Sequence, residues 1–307
     1  MDISATICGL KIDPAWMNGS GVLSQPPIIK RISAYDMGAF VTKSTGLHPR
    51  NGFYEPVVYH DIETLNCIGL ANPGIDETLE ELEEIYPLTK NKPLVGSVFG
   101  ENEYEFVGVA TKMEKYCDAI ELNFGCPNLK EGEKKGMTIG RDPDLVRLYT
   151  KAVKDKVRKP VIAKLTPNVY DIGVIAKAAE EAGADAISAI NTVFPATKLD
   201  ITSGAYVLAN KNGGLSGPPI KSIGIAAVRK IYDSVKVPII GGGGITTVDD
   251  IIEYYRAGSS CVSIGTAVAG KNTEEVGIYF KDLKNRLEDR LERMGASCLR
   301  ELTGVRI

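Results

Sequence analysis

The stretch Glu121-Leu122-Asn123-Phe124-Gly125-Cys126-Pro127-Asn128 sets one cysteine in a polar turn directly after a short apolar run. Gly125 and Pro127 stop the strand, so Asn123, Cys126 and Asn128 stand at its carboxyl end, which faces the active site in parallel α/β barrels. A thiol held there can serve as a base once it is ionised, although a buried structural cysteine is the competing reading. Other strand ends carry groups that an apolar core does not choose: Asn18 and Ser20, Lys43 and Ser44, Lys164, Asn191 and Thr192. Lys164, inside Val161-Ile162-Ala163-Lys164-Leu165, is costly in a barrel unless a ligand or a neighbouring carboxylate meets it. Lys43 argues the same way with less force, because its ammonium can reach solvent.

Two glycine-containing turns add a second kind of chemistry. Gly241-Gly242-Gly243-Gly244 and Gly265-Thr266 follow the seventh and eighth apolar runs, where barrel loops cradle phosphate on backbone N–H groups. No GK[ST] follows the glycines and no G-x-G-x-x-G occurs, so nothing supports nicotinamide binding by this chain. Asn66, Asn123, Asn128 and Asn191 offer amide donors and acceptors suited to a planar ring with alternating N–H and C=O groups, such as a cyclic imide or ureide. Each asparagine alone is an ordinary turn residue; the cluster carries the weight. His48 and His60 have no triad or metal partner in sequence and read as structural.

The elements that must position these groups are legible as an alternation. About eight apolar runs read as strands, near 15–17, 39–42, 93–98, 119–123, 161–165, 186–190, 237–240 and 261–264. Between them, Ile172, Ile175, Ala176 and Ala179, and again Val248, Ile251, Ile252 and Tyr255, recur at helical spacing. Thr246 or Thr247 can cap the second of these helices, and Gly183 and Gly258 sit where left-handed residues end helices. Eight such βα units predict a (β/α)₈ TIM barrel, with an open doubly wound sheet as the alternative. The connections 45–92, with a helical segment at 79–86, and 192–219 are long enough to be functional and should lie over the mouth that holds Cys126. The charged loop 129–138, with Lys130, Glu131 and Gly132, follows the cysteine as a candidate lid or an ordinary solvated loop. The segment 273–293 reads as a long charged closing helix with a solvated outer face.

Composition narrows the partners. At 307 residues and 44% apolar content, residues 1–307 read as one barrel domain. A net charge of −3 gives no electrostatic reason to bind nucleic acid or an anionic membrane, so a small-molecule partner fits better. Six scattered cysteines without CxxC or metal-ligand spacing predict reduced thiols, no zinc and no iron–sulfur cluster in this chain. No leader-like or membrane-spanning apolar run is present in the sequence, which predicts a soluble cytoplasmic protein.

Beyond these readings, the chain resembles class 1 dihydroorotate dehydrogenases nearly end to end, and most of all the catalytic subunit of the class 1B, NAD-linked enzymes. The likeness is carried by Thr42-Lys43-Ser44, by Asn66 to Gly74, by Leu122 to Asn128, by Ala163 to Val169, by Ala189 to Thr192 and by Asn212 to Pro218, together with the glycine turns. It implies an FMN-binding (β/α)₈ barrel that oxidises dihydroorotate to orotate in pyrimidine synthesis, with Cys126 as the base. It implies FMN contacts at Ser20, Lys43, Ser44, Ser97, Asn123, Lys164, Ile190, Gly217, Gly243, Gly244, Gly265 and Thr266, the phosphate resting on Gly217 and the last four. It implies substrate contacts at Lys43, Asn66, Cys67, Ile68, Gly69, Leu70, Asn123, Asn128, Asn191 and Thr192. It also implies a homodimeric core and a separate subunit carrying FAD and a [2Fe–2S] cluster that passes electrons to NAD. Three places depart from the family pattern: Gly125 stands for a usual serine, Ser97 for a frequent asparagine, and Asn18-Gly19-Ser20 for Ala-Ser-Gly. Rival readings are a fumarate-linked class 1A enzyme, a dihydropyrimidine dehydrogenase-like barrel, a tRNA dihydrouridine synthase and, outside redox chemistry, a phosphosugar isomerase or lyase. The acidic balance argues against the tRNA enzyme.

Overall fold

The structure is a computed structural model and describes residues 1–54, 57–59, 62–89, 91–129 and 132–305. A hairpin of β1 (Ala5–Ile7) and β2 (Leu10–Ile12) comes first, and its Cys8 Sγ reaches the carbonyl of Asp185 at the amino end of the barrel. The barrel strands then begin with β3 (Trp16–Asn18) and β4 (Phe40–Val41), separated by α1 (Pro26–Ile32). After β5 (Val57–Tyr59), β6 (Thr64–Asn66) and α2 (Ile75–Ile85), the barrel resumes with β7 (Leu94–Val98), α3 (Glu103–Met113) and β8 (Ala119–Asn123). A short α4 (Met137–Gly140) and α5 (Pro143–Lys154) lead to β9 (Val161–Lys164), α6 (Ile172–Glu181) and β10 (Ala186–Ala189). The chain ends through β11 (Val193–Ala196), β12 (Gly213–Ser216), α7 (Lys221–Tyr232), β13 (Ile239–Gly242), α8 (Val248–Ala257), β14 (Cys261–Ile264) and α9 (Thr273–Met294).

Eight strands pair in parallel in the order β3-β14-β13-β10-β9-β8-β7-β4, and a parallel bridge between Met17 and Ala39 joins the two ends. The sheet is therefore a closed ring with helices outside, the (β/α)₈ barrel that the alternation predicted. The remaining strands form a separate antiparallel sheet, β11-β12-β6-β5, built from the two long connections. Its register sets Gly214 against Asn66 and Leu215 against Leu65.

One expectation needs correction. The seventh barrel strand runs Ile239–Gly242, so half of the glycine run is strand rather than turn. Close packing is the reason: a Cβ on Gly241 would fall 2.1 Å from Ser259 Oγ, and one on Gly242 2.8 Å from the carbonyl of Ser263. The closing helix α9 keeps a charged outer face and adds a buried one. Val276, Phe280, Leu283, Leu287 and Leu291 form a buried stripe at helical spacing, and Phe280 stacks on Trp16 at 6.3 Å. Charges on the other face hid that stripe.

The helix signals behave as their chemistry demands. Thr247 caps α8 in a reciprocal capping box with Asp250, and Gly258 follows at φ 121°.

The seam between β3 and β4 has one side chain standing in for backbone pairing. Asn18, fully buried, donates Nδ2 to the carbonyls of Val41 (2.8 Å) and Val22 (2.9 Å), while its Oδ1 accepts the N–H of Val41 (2.8 Å). Removing the amide strands the two buried backbone groups of Val41 and the part-buried carbonyl of Val22. Asn18→Ala should cost about 2–4 kcal/mol of stability, read as a lower urea midpoint, and a change under about 0.5 kcal/mol would show that the seam closes without it.

Candidate active site

A cavity opens at the carboxyl ends of the barrel strands, roofed in part by the β11-β12-β6-β5 sheet. At one end stand Gly217, Gly243, Gly244, Gly265 and Thr266. Gly217, Gly243 and Gly244 have φ of 95°, 127° and 73°, conformations that glycine adopts without strain. A Cβ on Gly244 would lie 2.7 Å from the carbonyl of Gly217 and 3.0 Å from the N–H nitrogen of Lys221, which opens α7. The turn after β13 is held from behind: Tyr254 donates its hydroxyl to the Gly243 carbonyl at 2.7 Å, and Asp250 Oδ2 accepts the N–H groups of Thr246 and Thr247.

The middle of the cavity is lined by Ser20, Lys43, Ser44, Asn123, Lys164 and Ile190. The parallel register sets Asn123 opposite Lys164 and Lys164 opposite Ser188, so three adjacent strands deliver polar side chains at one height. Asn123 donates to Ser44 Oγ at 2.9 Å and accepts the N–H of Gly125 at 3.1 Å, fixing the turn that carries Cys126. Lys164 Nζ lies 3.5 Å from Glu121 Oε1, the carboxylate partner that a buried lysine requires.

The far end holds Asn66, Ile68, Leu70, Cys126, Asn128, Asn191 and Thr192. Asn128 donates to Asn66 Oδ1 at 2.7 Å, and Asn191 to Asn123 Oδ1 at 3.3 Å. Asn128 Oδ1 and Thr192 Oγ1 are buried with no hydrogen-bond partner among the described residues. Such atoms lack the partners that buried polar groups normally have.

Three residues expected at the site are not on the cavity wall. Ser97 is fully buried beneath it, hydrogen-bonded to Ser44 Oγ at 2.9 Å and Glu121 Oε1 at 3.0 Å. Cys67 points into a small apolar cluster with Leu65 and Leu208. Gly69 uses its carbonyl to accept Arg50 Nε. His48 is exposed, and His60 lies outside the described residues.

The loop after the cysteine is pinned where it is described; Lys130 and Glu131 lie outside the described residues. Arg50 grips both oxygens of Glu133 at 2.6 and 2.8 Å, and Lys135 pairs with Glu101 and Glu133. Gly136 packs so closely that a Cβ there would fall 2.5 Å from the carbonyl of Cys126.

These cations act on the thiol. Burial pushes Cys126 above the ordinary thiol value of 9, and the Asn128 N–H with the charges of Lys43, Arg50 and Lys164 pulls it part of the way back. Burial likewise lowers Lys43, a shift opposed by Cys126 and reinforced by Lys164. Reading the sequence for strand ends missed Glu121, Ser188 and Ser263. The last two line the cavity from β10 and β14, and all three are polar residues interrupting apolar strands, which was the available signal.

Gly125 explains one departure in the strand-end turn. A Cβ there would sit 2.6 Å from Asn191 Cβ and 2.7 Å from its Nδ2. Gly125→Ser should therefore displace Asn191 and cost about 1–3 kcal/mol, measured by chemical denaturation; a neutral result would mean that the turn relaxes freely.

Comparison with known proteins accounts for this arrangement. The sequence model of the family described as dihydroorotate dehydrogenase matches residues 2–291. Curated relatives named dihydroorotate dehydrogenase B (NAD(+)), catalytic subunit include one from Methanocaldococcus jannaschii, 46% identical over 87% of this chain and 87% of that protein. Another from Pyrococcus furiosus is 41% identical over 99% of both chains, and one from Thermoplasma volcanium 42% identical over 100% of this chain and 99% of that protein. A barrel with a cysteine turn, a glycine cradle and an amide-lined far end, matched over nearly its whole length, belongs to the dihydroorotate dehydrogenase family of oxidoreductases.

Proposed function

We propose that this chain oxidises (S)-dihydroorotate to orotate, a step of pyrimidine (UMP) synthesis, with FMN held in the barrel mouth and Cys126 as the base. The observation that carries the reading is the juxtaposition, in one cavity, of Cys126, a cationic floor and a glycine-lined end. The residues fit a phosphate-bearing planar cofactor: at Gly265 a Cβ would meet only Val22, at 3.9 Å, so the space beyond that backbone is open to a ligand. Gly217, Gly243, Gly244, Gly265 and Thr266 would hold the phosphate, and Ser20, Lys43, Ser44, Asn123, Lys164 and Ile190 the ring and its chain. Ser97 acts from beneath, through Ser44.

When bound, FMN supplies the acceptor for the hydride that leaves C6 of the substrate. The protein's own part is to bind, orient and take a proton. Asn66, Asn128, Asn191 and Thr192 line the far end and would present amides and a hydroxyl to the ring edge. Ile68 and Leu70 shape the wall beside them, with Cys67 anchoring that segment in the apolar cluster and the Gly69 carbonyl turned to Arg50. Cys126 Sγ removes the proton from C5, and Lys43, Arg50 and Lys164 favour the thiolate that does so. Lys164 would hold the cofactor's ring with a positive charge that favours negative charge developing there.

Electrons would leave to NAD through a partner subunit bearing FAD and a [2Fe–2S] cluster, around a homodimer of this chain. Support comes from the names of the relatives, which specify both NAD(+) and a catalytic subunit. Co-purification of an iron–sulfur flavoprotein with this chain from its native host is the corresponding test.

Anaerobic mixing of FMN-loaded protein with dihydroorotate should bleach the flavin, and Cys126→Ser should slow that bleaching by about 10²–10⁴-fold at neutral pH. Persistent colour in the native protein would remove dihydroorotate as the substrate. Because the thiol is raised above 9, the bleaching rate should climb with pH through neutrality and level off only on the alkaline side of 9. Arg50→Gln removes a charge that favours the thiolate, so it should move this limb to higher pH; a shift to lower pH would reverse the assignment.

A further inference from the structure

Glu121 has no place in the reaction just described, yet it lies directly under it. The carboxylate is 4% exposed on β8, accepts a hydrogen bond from Ser97 at 3.0 Å and stands 3.5 Å from Lys164 Nζ. A buried carboxylate needs compensation, and Lys164 and Ser97 provide it. The compensation runs both ways: each charge that Lys164 spends on Glu121 is unavailable to a ligand above.

The hydroxyl network gives the carboxylate a second hold on the site. A carboxylate only accepts, so the Ser97 hydrogen points to Glu121. Ser97 Oγ must then accept from Ser44 at 2.9 Å, and Ser44 Oγ from Ser20 at 2.9 Å and from the Asn123 amide. One anion at the end of the row fixes the direction of three hydroxyls, and Ser20 is left facing the cavity as an acceptor.

We propose that Glu121 is a positioning residue that sets the electron affinity of the cofactor bound above it, by holding and partly neutralising Lys164. The inference rests on the reading that FMN occupies this cavity. With Glu121 present, the lysine and carboxylate form a nearly neutral pair, and reduction of the cofactor to a negatively charged form is favoured less than an unpaired lysine would allow. Removing the negative charge while keeping the shape makes the cofactor easier to reduce.

The test is the equilibrium reduction potential of bound FMN, measured by dye-coupled chemical reduction with no dihydroorotate present. Glu121→Gln should raise the preference for reduced over oxidised cofactor at least tenfold, about 30 mV for a two-electron couple. In a Lys164→Met background the same substitution should change the ratio less than threefold, because the lysine is the route of the effect. Ser97→Ala, which cuts the hydroxyl row and keeps the charge, should stay within threefold of the native protein. An unchanged potential in Glu121→Gln, an equal shift without Lys164, or an equal shift in Ser97→Ala overturns the proposal. So does loss of flavin from a folded Glu121→Gln protein, since Glu121 is assigned no part in holding the cofactor. A native protein that takes up FMN but leaves dihydroorotate untouched defeats the proposed function and leaves this measurement valid; one that takes up no FMN defeats both.

Discussion

A parallel barrel exists only if its sheet closes, and in this chain one buried polar side chain spans the closing seam. Between β3 and β4 the backbone contributes the Met17–Ala39 bridge and the bond from the Gly38 N–H to the Trp16 carbonyl, and the Asn18 amide adds two bonds to Val41. Every other neighbouring pair of barrel strands is a parallel ladder. Ser20 and Lys43 stand two residues beyond Asn18 and Val41, so their positions follow from how that seam is drawn together. The residue that looked like a cavity group from sequence is a fastening, and the cavity is its consequence.

The floor of the cavity shows how a barrel tolerates charge. Lys43 and Lys164 enter from the second and fifth barrel strands, Arg50 from the loop above, and Cys126 sits among them. Burial alone raises the thiol and lowers Lys43. Each group partly reverses the penalty on the other, so thiol and lysine are better understood as one coupled site. Arg50 extends that coupling outward, because the guanidinium that faces the thiol's surroundings also clamps Glu133 and the Gly69 carbonyl.

Much of this was legible in the residues. The eight strands fall within about two residues of the apolar runs, since a strand buried on both faces has to be continuously apolar. The glycine turns, Lys164 and the strand-end asparagines announce themselves by costing something where they stand. What stayed hidden was of two kinds. Glu121 and Ser97 are interior polar residues whose partners come from other strands, and nothing along the chain reveals which pairs the register will make. The four-stranded roof was hidden because its strands are three or four residues long and its central pair, β6 with β12, joins across about 150 positions, beyond the reach of any local pattern. The departure at Gly125 became intelligible only when Asn191 was found against it.

That long pairing also orders events in time. Asn66 in β6 waits for Gly214 in β12, and Trp16 in β3 waits for Val262 in β14. On a ribosome, which delivers the amino end first, a nascent chain therefore carries the cysteine turn and its neighbouring strands long before it has a roof or a closed ring. Loop-closure entropy delays both pairings until most of the sequence is available. An interrupted chain would hold the ingredients of the site without its enclosure, and chemistry would arrive only with the last strand.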